Sequence, residues 1–307
     1  MSSPPRANLP ASVRQRLLNL SRQRGESFDL ILNHYATERL LYRLSRSEHA
    51  QRFIVKGAML FTVWAKRTHR PTRDLDLLGF GDNSSEGLGA AMRDVCQAAV
   101  EPDGIEFDPS SVRVEPIREG DEYQGQRVRL LATLCGARIR LQVDIGIGDV
   151  VTPAPETVEY PTLLEFPAPR VRVYRRETMV AEKLQAMVEL GVANSRMKDF
   201  YDIWTLSRLF DFDGPDLAGS IRSTFERRRT PVPRTPPIAL TAQFAGEPGK
   251  AAQWSGFIRR SGIEDADLDL AKVVEALSRF LESPLSAAGE GVALKMHWPP
   301  GGPWRTR

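Results

Sequence analysis

The sequence predicts an α/β half followed by a helical half, with the border near residue 170. Three observations carry that expectation. Apolar residues alternate with polar ones between residues 112 and 145, the period-2 pattern of half-buried strands. Before that stretch, and again after residue 176, they recur near the 3.6-residue period of a helix. Between the two regimes lies a proline cluster, Pro153, Pro155, Pro161, Pro167 and Pro169. Residues 1–170 are therefore expected as an α/β domain led by N-terminal helices, and residues 171–307 as a helical domain. With 307 residues and 41% hydrophobic content, the chain can fill one large core or two modest ones.

The elements follow in order. Residues 11–24 and 27–46 read as helices, and in the second Leu30, Ile31, His34, Tyr35, Leu40, Leu41 and Leu44 form the apolar stripe. Phe53 to Val55 is a short apolar strand. Lys56-Gly57-Ala58 then opens a helix that runs to about Lys66, and residues 67–73 form a basic loop containing Pro71. Asp74 to Leu78 returns as a strand, with Leu75, Leu77 and Leu78 packing around two acids. Residues 85–99 look helical. Val112 with Val114, Val128 with Leu130, and Ile139, Leu141, Val143 and Ile145 mark the β-rich stretch. Prolines cannot donate to a ladder, so the cluster after it reads as a loop wrapping the first domain. Helices are expected over 177–190, stopped by Gly191, then over 196–210 and 215–228. A proline-rich linker at 229–237 leads to helices near 250–261 and 266–282 and to a Pro/Gly-rich tail.

Composition excludes several classes. The two cysteines, Cys96 and Cys135, have no CxxC or paired Cys/His spacing, which argues against a disulfide framework or a zinc site and for a reducing compartment. No apolar run approaches the roughly 20 residues that span a bilayer, and the N-terminus lacks the apolar core of a signal peptide. A cytoplasmic protein with no membrane partner is expected. The net charge of +3 is unevenly spread: residues 1–52 hold nine arginines against four acids, and Arg227-Arg228-Arg229, Arg305 and Arg307 follow. Such patches suit a phosphate-rich partner, and they equally suit solvated helix faces. The four histidines, His34, His49, His69 and His297, are scattered, and His69 reads as a solvated loop residue.

The chemistry centres on Thr72-Arg73-Asp74-Leu75-Asp76-Leu77-Leu78. Residues two apart on a strand share a face, so Asp74 and Asp76 project together. Two adjacent carboxylates repel, and cations relieve the repulsion. All-oxygen ligation of this kind suits Mg²⁺ or Mn²⁺, which can clamp a triphosphate and activate an attacking hydroxyl. Upstream, Lys56-Gly57-Ala58 stands between a strand and a helix, where a glycine lets backbone N–H groups approach phosphate oxygens. A turn that needs Gly57 only for its dihedral angle would leave the same trace. A third acid, Asp144, alternates onto the polar face of Leu141-Gln142-Val143-Asp144-Ile145. If that strand pairs beside the first, Asp144 joins the pair, binding one metal and helping to deprotonate the acceptor hydroxyl. Asp149, after Gly148, reads as a turn former. In the helical half, Lys183 flanks an apolar stripe of Val180, Leu184, Met187 and Val188, from which it can reach a triphosphate. Asp199 and Asp202 are i,i+3 neighbours that orient Lys183 or Arg196, contact the nucleotide, or simply form surface ion pairs.

Five motifs in this order, Phe53-Ile54-Val55-Lys56-Gly57-Ala58, Arg70-Pro71-Thr72-Arg73-Asp74-Leu75-Asp76-Leu77, Val143-Asp144-Ile145-Gly146-Ile147-Gly148-Asp149, Ala181-Glu182-Lys183-Leu184 and Arg196-Met197-Lys198-Asp199-Phe200-Tyr201-Asp202, resemble the AbiEii/AbiGii toxin family, which includes the MenT-like toxins. The resemblance covers about residues 10–285. It implies a DNA polymerase β-like nucleotidyltransferase fold, a mixed sheet with a helical C-terminal domain. It implies a metal-dependent nucleotidyltransferase that is the toxin of a toxin–antitoxin pair, with roles in translation inhibition and phage defence. It implies an NTP substrate, Mg²⁺ or Mn²⁺, a cognate antitoxin, and RNA, best the 3′ end of tRNA, as acceptor. Carried across, Asp74 and Asp76 are metal ligands, Gly57 belongs to the phosphate-binding turn with Lys56 and Ala58, Lys183 is the essential lysine, and Asp199 or Asp202 the late aspartate. Arg196 and Lys198 stand beside them as nucleotide-binding candidates. The chain departs from the family in Ala58, where Gly or Ser is common. Two alternatives stay open at this point: transfer to a protein or small-molecule hydroxyl, and a non-catalytic nucleotide- or partner-binding module.

Overall fold

The computed structural model describes residues 8–66, 69–119, 123–263 and 268–306. Arg307 and part of the basic loop at 67–73 lie outside the described residues, as does the start of the helix expected from 266. The chain forms two compact units. One comprises residues up to Gly148 together with Glu156–Val173, the other Asp149–Pro155 together with Tyr174 onward.

The first unit opens with α1 (Leu9–Arg24), started by the Asn8 cap and ended by Gly25 at φ 65°, and α2 (Phe28–Arg46), capped by Ser27. β1 (Phe53–Lys56), α3 (Leu60–Ala65), β2 (Leu75–Gly79) and α4 (Ser85–Gln97) follow. β3 (Ile105–Glu119), β4 (Tyr123–Leu134) and β5 (Ala137–Ile147) form an antiparallel meander, and β6 (Glu156–Glu159) and β7 (Arg170–Val173) complete the sheet. The strand order is β3-β4-β5-β2-β1-β7-β6. β2 runs parallel to β5 and β1 parallel to β7, so the sheet is mixed, as expected.

Alternation divides this sheet into two faces. One is apolar and buried: Val128, Leu130, Ala132 and Leu134 on β4, Leu141, Val143 and Ile145 on β5, Leu75 and Leu77 on β2, and Phe53 and Val55 on β1. Each large side chain there contributes about 1.5–3 kcal/mol on leaving water. α2 and α4 pack against this face; the Arg43 guanidinium lies over the Phe107 ring, and Gly89 of α4 adjoins Val114. The other face carries the polar residues of the same strands.

Several expectations need correction. The N-terminal arginines are not all available to a partner. Arg39 is fully buried and donates to the Pro167 carbonyl at 2.9 Å, Arg43 grips buried Asp103 at 2.7 and 3.1 Å, and Arg52 donates to the Phe80 carbonyl. α2 is buried on nearly every side; Arg39 and Arg43 are spent inside, while Arg46 at its end is exposed. Burial also pushes the Glu38 carboxyl up to about 7 despite Arg39 beside it. His69 stacks on Phe61 rather than standing in solvent alone. The proline cluster contains a strand after all. Glu156–Glu159 fits between Pro155 and Pro161 because β6 lies at the sheet edge, where one side needs no ladder bonds. α3 has only six residues and begins three positions after Gly57.

The second unit contains α5 (Arg176–Leu190), α6 (Met197–Leu209), β8 (Phe212–Asp213), α7 (Gly214–Arg227), α8 (Ala242–Gly246), α9 (Pro248–Ser261), α10 (Leu270–Glu290), β9 (Met296–Trp298) and β10 (Arg305–Thr306). α10 continues past residue 282 with Pro284 inside it, because buried Leu281, Leu285 and Ala288 keep its apolar stripe running. The Pro/Gly-rich tail is not a loose end: β9 and β10 join β8 in a three-stranded sheet. Phe280 packs against Phe212, Trp298 and Trp304, and the Trp298 indole N–H donates to the Ser207 carbonyl at 2.8 Å. Asp149 is not merely a turn residue, since Arg228 holds its carboxylate at 3.1 Å through two nitrogens.

Candidate active site

The polar face of the first unit's sheet carries a row of four charges on four adjacent strands. Lys56 of β1 pairs with Asp76 of β2, Asp76 with Asp144 of β5, and Asp144 with Arg127 of β4. Residues opposite one another across a ladder share a face, with Cβ atoms about 4.5–5.5 Å apart. The strand holding Asp144 thus lies directly beside the one holding Asp76, the condition under which Asp144 joins the acidic pair. All four residues are half-buried. Asp74 is exposed and stands one residue before β2 begins, so only Asp76 of the two lies within the strand itself.

Gly57 is placed for two reasons. Its φ of 76° is the left-handed region, which costs an L-residue about 1–2 kcal/mol. A Cβ built on it would also overlap the Asp76 carboxylate. The turn after β1 thus brings bare backbone against the candidate metal ligand, and Ala58 follows buried. α3 is too short and begins too late for its dipole to carry the anion site alone; the close approach at Gly57 is the stronger feature.

Arg127 was not foreseen. Its Nε donates to Asp144 Oδ1 and its Nη2 to Oδ2, both at 2.8 Å, and Gln142 adds a longer contact to Oδ2 at 3.4 Å. The Asp144 hydrogen bonds raise the guanidinium's affinity for its proton further, against partial burial, and the Asp74 charge adds to this. A signal for it did exist in the sequence. Cys135 and Gly136, at φ 46° and 77°, form the two-residue turn between β4 and β5, and counting seven residues back from Leu134 and forward from Ala137 pairs Arg127 with Asp144.

The second unit holds a cluster of its own. Lys183 of α5 lies 2.5 Å from Asp199 and 2.9 Å from Asp202 on α6, and Arg196 Nε reaches the other Asp199 oxygen at 2.7 Å. Both aspartates are buried. Burial by itself raises the Asp199 carboxyl, but the Lys183 and Arg196 charges and the Lys183 hydrogen bond outweigh it and hold it below the usual carboxylate range. Lys198 is exposed and stands outside this cluster.

A profile of the nucleotidyl transferase AbiEii toxin family, a type IV toxin–antitoxin system, matches residues 39–282. The chain belongs to that family. As an AbiEii-type nucleotidyltransferase, it acts on a nucleoside triphosphate and has an antitoxin as partner. The AbiEii match spans β1 through most of α10 and so includes every residue of both clusters. Among solved structures, a putative nucleotidyltransferase from H. pylori is similar at 13% identity and a TM-score of 0.47, covering 86% of this chain and 94% of its own. JHP933 from Helicobacter pylori is similar at 14% identity and a TM-score of 0.48, covering 86% of this chain and 91% of its own. No curated protein matches.

Nucleotidyltransferases usually employ a divalent metal, and the donor set here fits one. Asp76 and Asp144 offer only hard carboxylate oxygens side by side. A carboxylate has about four lone-pair sites. Arg127 and Gln142 take three on Asp144, so Oδ1 retains one. A separate group of ligand-type side chains, Glu48, His49 and Asp94, lies elsewhere in the first unit, with His49 hydrogen-bonded to Asp94 at 3.1 Å. No helix among the described residues is long and apolar enough to cross a membrane.

Proposed function

We propose that this AbiEii-family toxin transfers a nucleotide from an NTP to the terminal hydroxyl of RNA, best the 3′ end of tRNA, and thereby blocks translation. The register of Lys56, Asp76, Asp144 and Arg127 is the observation that carries the reading. In the reaction the acceptor oxygen bonds to the α-phosphorus, the bond to the β-phosphate oxygen breaks, and pyrophosphate leaves. Mg²⁺ or Mn²⁺, held by Asp76, Asp144 and Asp74, would supply charge neutralisation for the triphosphate and acidify the attacking hydroxyl.

The protein's own groups have distinct tasks. Asp76 and Asp144 would hold the cations, and Arg127 orients the Asp144 carboxylate through two hydrogen bonds. The Gly57 turn, with Lys56 and Ala58, receives phosphate oxygens through its backbone and the Lys56 charge. Lys183, steadied by Asp199 and Asp202, is a further requirement for transfer carried by the second unit. Arg196 and Lys198 add positive charge there. The family's antitoxin would act on this activity in a cytoplasmic setting.

The acceptor is tested by offering each α-labelled NTP with Mg²⁺ to total RNA and total protein separately. Label in RNA of tRNA size supports the reading. Label in protein alone contradicts the RNA assignment while keeping the enzyme class.

A further inference from the structure

The polar sheet face does not end at the carboxylates. From Asp144 back along β5 it continues through Gln142, Arg140 and Arg138. On β4, Arg127, Arg129, Leu131 and Thr133 stand directly opposite Asp144, Gln142, Arg140 and Arg138. Arg129, Arg138 and Arg140 are exposed. This strip, two strands wide, bears four arginines against a single acid, the candidate metal ligand Asp144.

Its borders are defined. On one side β3 presents Glu106, Asp108 and Glu115, and Glu115 takes Arg129 at 2.6 Å. On the other side β2 pairs with β5 only from Val143 onward, and Asn33 of α2 donates to the Arg140 carbonyl on the remaining edge. The helices α2 and α4 lie on the opposite face of the sheet.

We infer that this strip is the track for the acceptor: a single-stranded RNA 3′ end lies along β5, its terminal hydroxyl at Asp76 and Asp144 and its preceding phosphates at Arg140 and Arg138. The inference rests on the RNA reading above and adds a path and a direction to it. Asp144 and Arg138 are six residue steps apart on the strand, which at about 3.3 Å each is roughly 20 Å, room for a few nucleotides. The positive charge complements a phosphodiester chain and is continuous with the site where its end would react. No aromatic side chain lies among these strip positions, so bases have no stacking platform. Contacts are to the backbone, and binding is salt-sensitive and tolerant of sequence. Part of the arginine-rich stretches noted in the sequence serves other ends, since Arg39 and Arg43 are internal to the first unit and Arg228 is tied to Asp149.

The test compares the full-length wild type with Arg138→Glu/Arg140→Glu and with Arg46→Glu/Arg93→Glu. The last makes the same charge change at exposed positions of α2 and α4. A labelled single-stranded RNA of mixed sequence is titrated by fluorescence anisotropy over a range of salt. The strip variant is expected to bind about tenfold weaker or worse, with the slope of log affinity against log salt reduced by about 1.4, two phosphate contacts' worth. The control variant is expected to bind within about twofold of wild type. Arg138→Gln/Arg140→Gln, which removes charge without adding repulsion, should lower the slope likewise, and a preserved melting temperature verifies folding. Equal weakening of strip and control variants, or none in either, overturns the track while leaving RNA as acceptor. Wild type that binds no RNA overturns both readings.

Discussion

At Gly57 the left-handed backbone and the nearby Asp76 carboxylate make the same demand, that no Cβ be present. Gly57→Ala is therefore expected to do more than the usual cost of about 1–2 kcal/mol for a left-handed L-residue. It should displace Asp76 and cut transfer at least about 100-fold while the protein still melts cooperatively; retained transfer would contradict the close approach. Lys183 poses a different problem. It is paired with two buried aspartates, so Lys183→Met should destabilise the second unit by about 3–5 kcal/mol, whereas Lys183→Arg should recover most of that. The sign of the pH dependence follows from Asp199. Its carboxyl is held below the ordinary value in the folded state, so its contribution is present above about pH 4 and is lost as pH falls through the depressed value. Denaturant melts from pH 7 down to pH 2.5 should show an acid limb that Asp199→Asn flattens. The sequence showed the glycine after a strand and the i,i+3 aspartates because these are short spacings, but not the approach of Gly57 to Asp76, and it left Lys183 as one of several partners for the aspartates, since those contacts join residues on different elements.

Strands made the site, and their pairing was only half legible. Alternation located β5 and put Asp144 on its polar face, but alternation says nothing about which strand lies next to which. The parallel pairing of β2 with β5 brings together residues 68 positions apart, Asp76 and Asp144. Arg127 escaped notice because β4 was recognised only at Val128 and Leu130, and the Cys135-Gly136 turn that fixes its register was not read as a hairpin. Replacing Arg127 by Met removes a cation from beside two carboxylates, so Mn²⁺ binding measured by electron paramagnetic resonance should tighten several-fold, while transfer falls because Asp144 loses its orientation. Unchanged Mn²⁺ affinity would mean that Asp144 takes no part in binding the ion. β6 and the tail strands were missed for a related reason: Glu156–Glu159 and Met296–Trp298 are strands because of the neighbours they meet, not because of their own composition.

For the molecule as a whole, the change from alternating to helical periodicity reflects two units with separate cores, one around the apolar sheet face and one around Phe280 and its aromatic neighbours. Composition did not reveal that residues 149–155 leave the first unit and return, since that excursion is held by side chains such as Thr178 and Ser220 donating to the Thr152 carbonyl. On the proposed reading, the paired carboxylates of the first unit run nucleotide transfer in this AbiEii-family chain. The most direct measurement is transfer of α-labelled nucleotide to RNA at saturating Mg²⁺ by wild type, Asp76→Asn and Asp144→Asn, with melting temperatures recorded in parallel. Both variants should fold and their rates should fall by a factor of about 100 or more, as expected when a group that stabilises the transition state is removed. Transfer by either variant at close to the wild-type rate would contradict that reading.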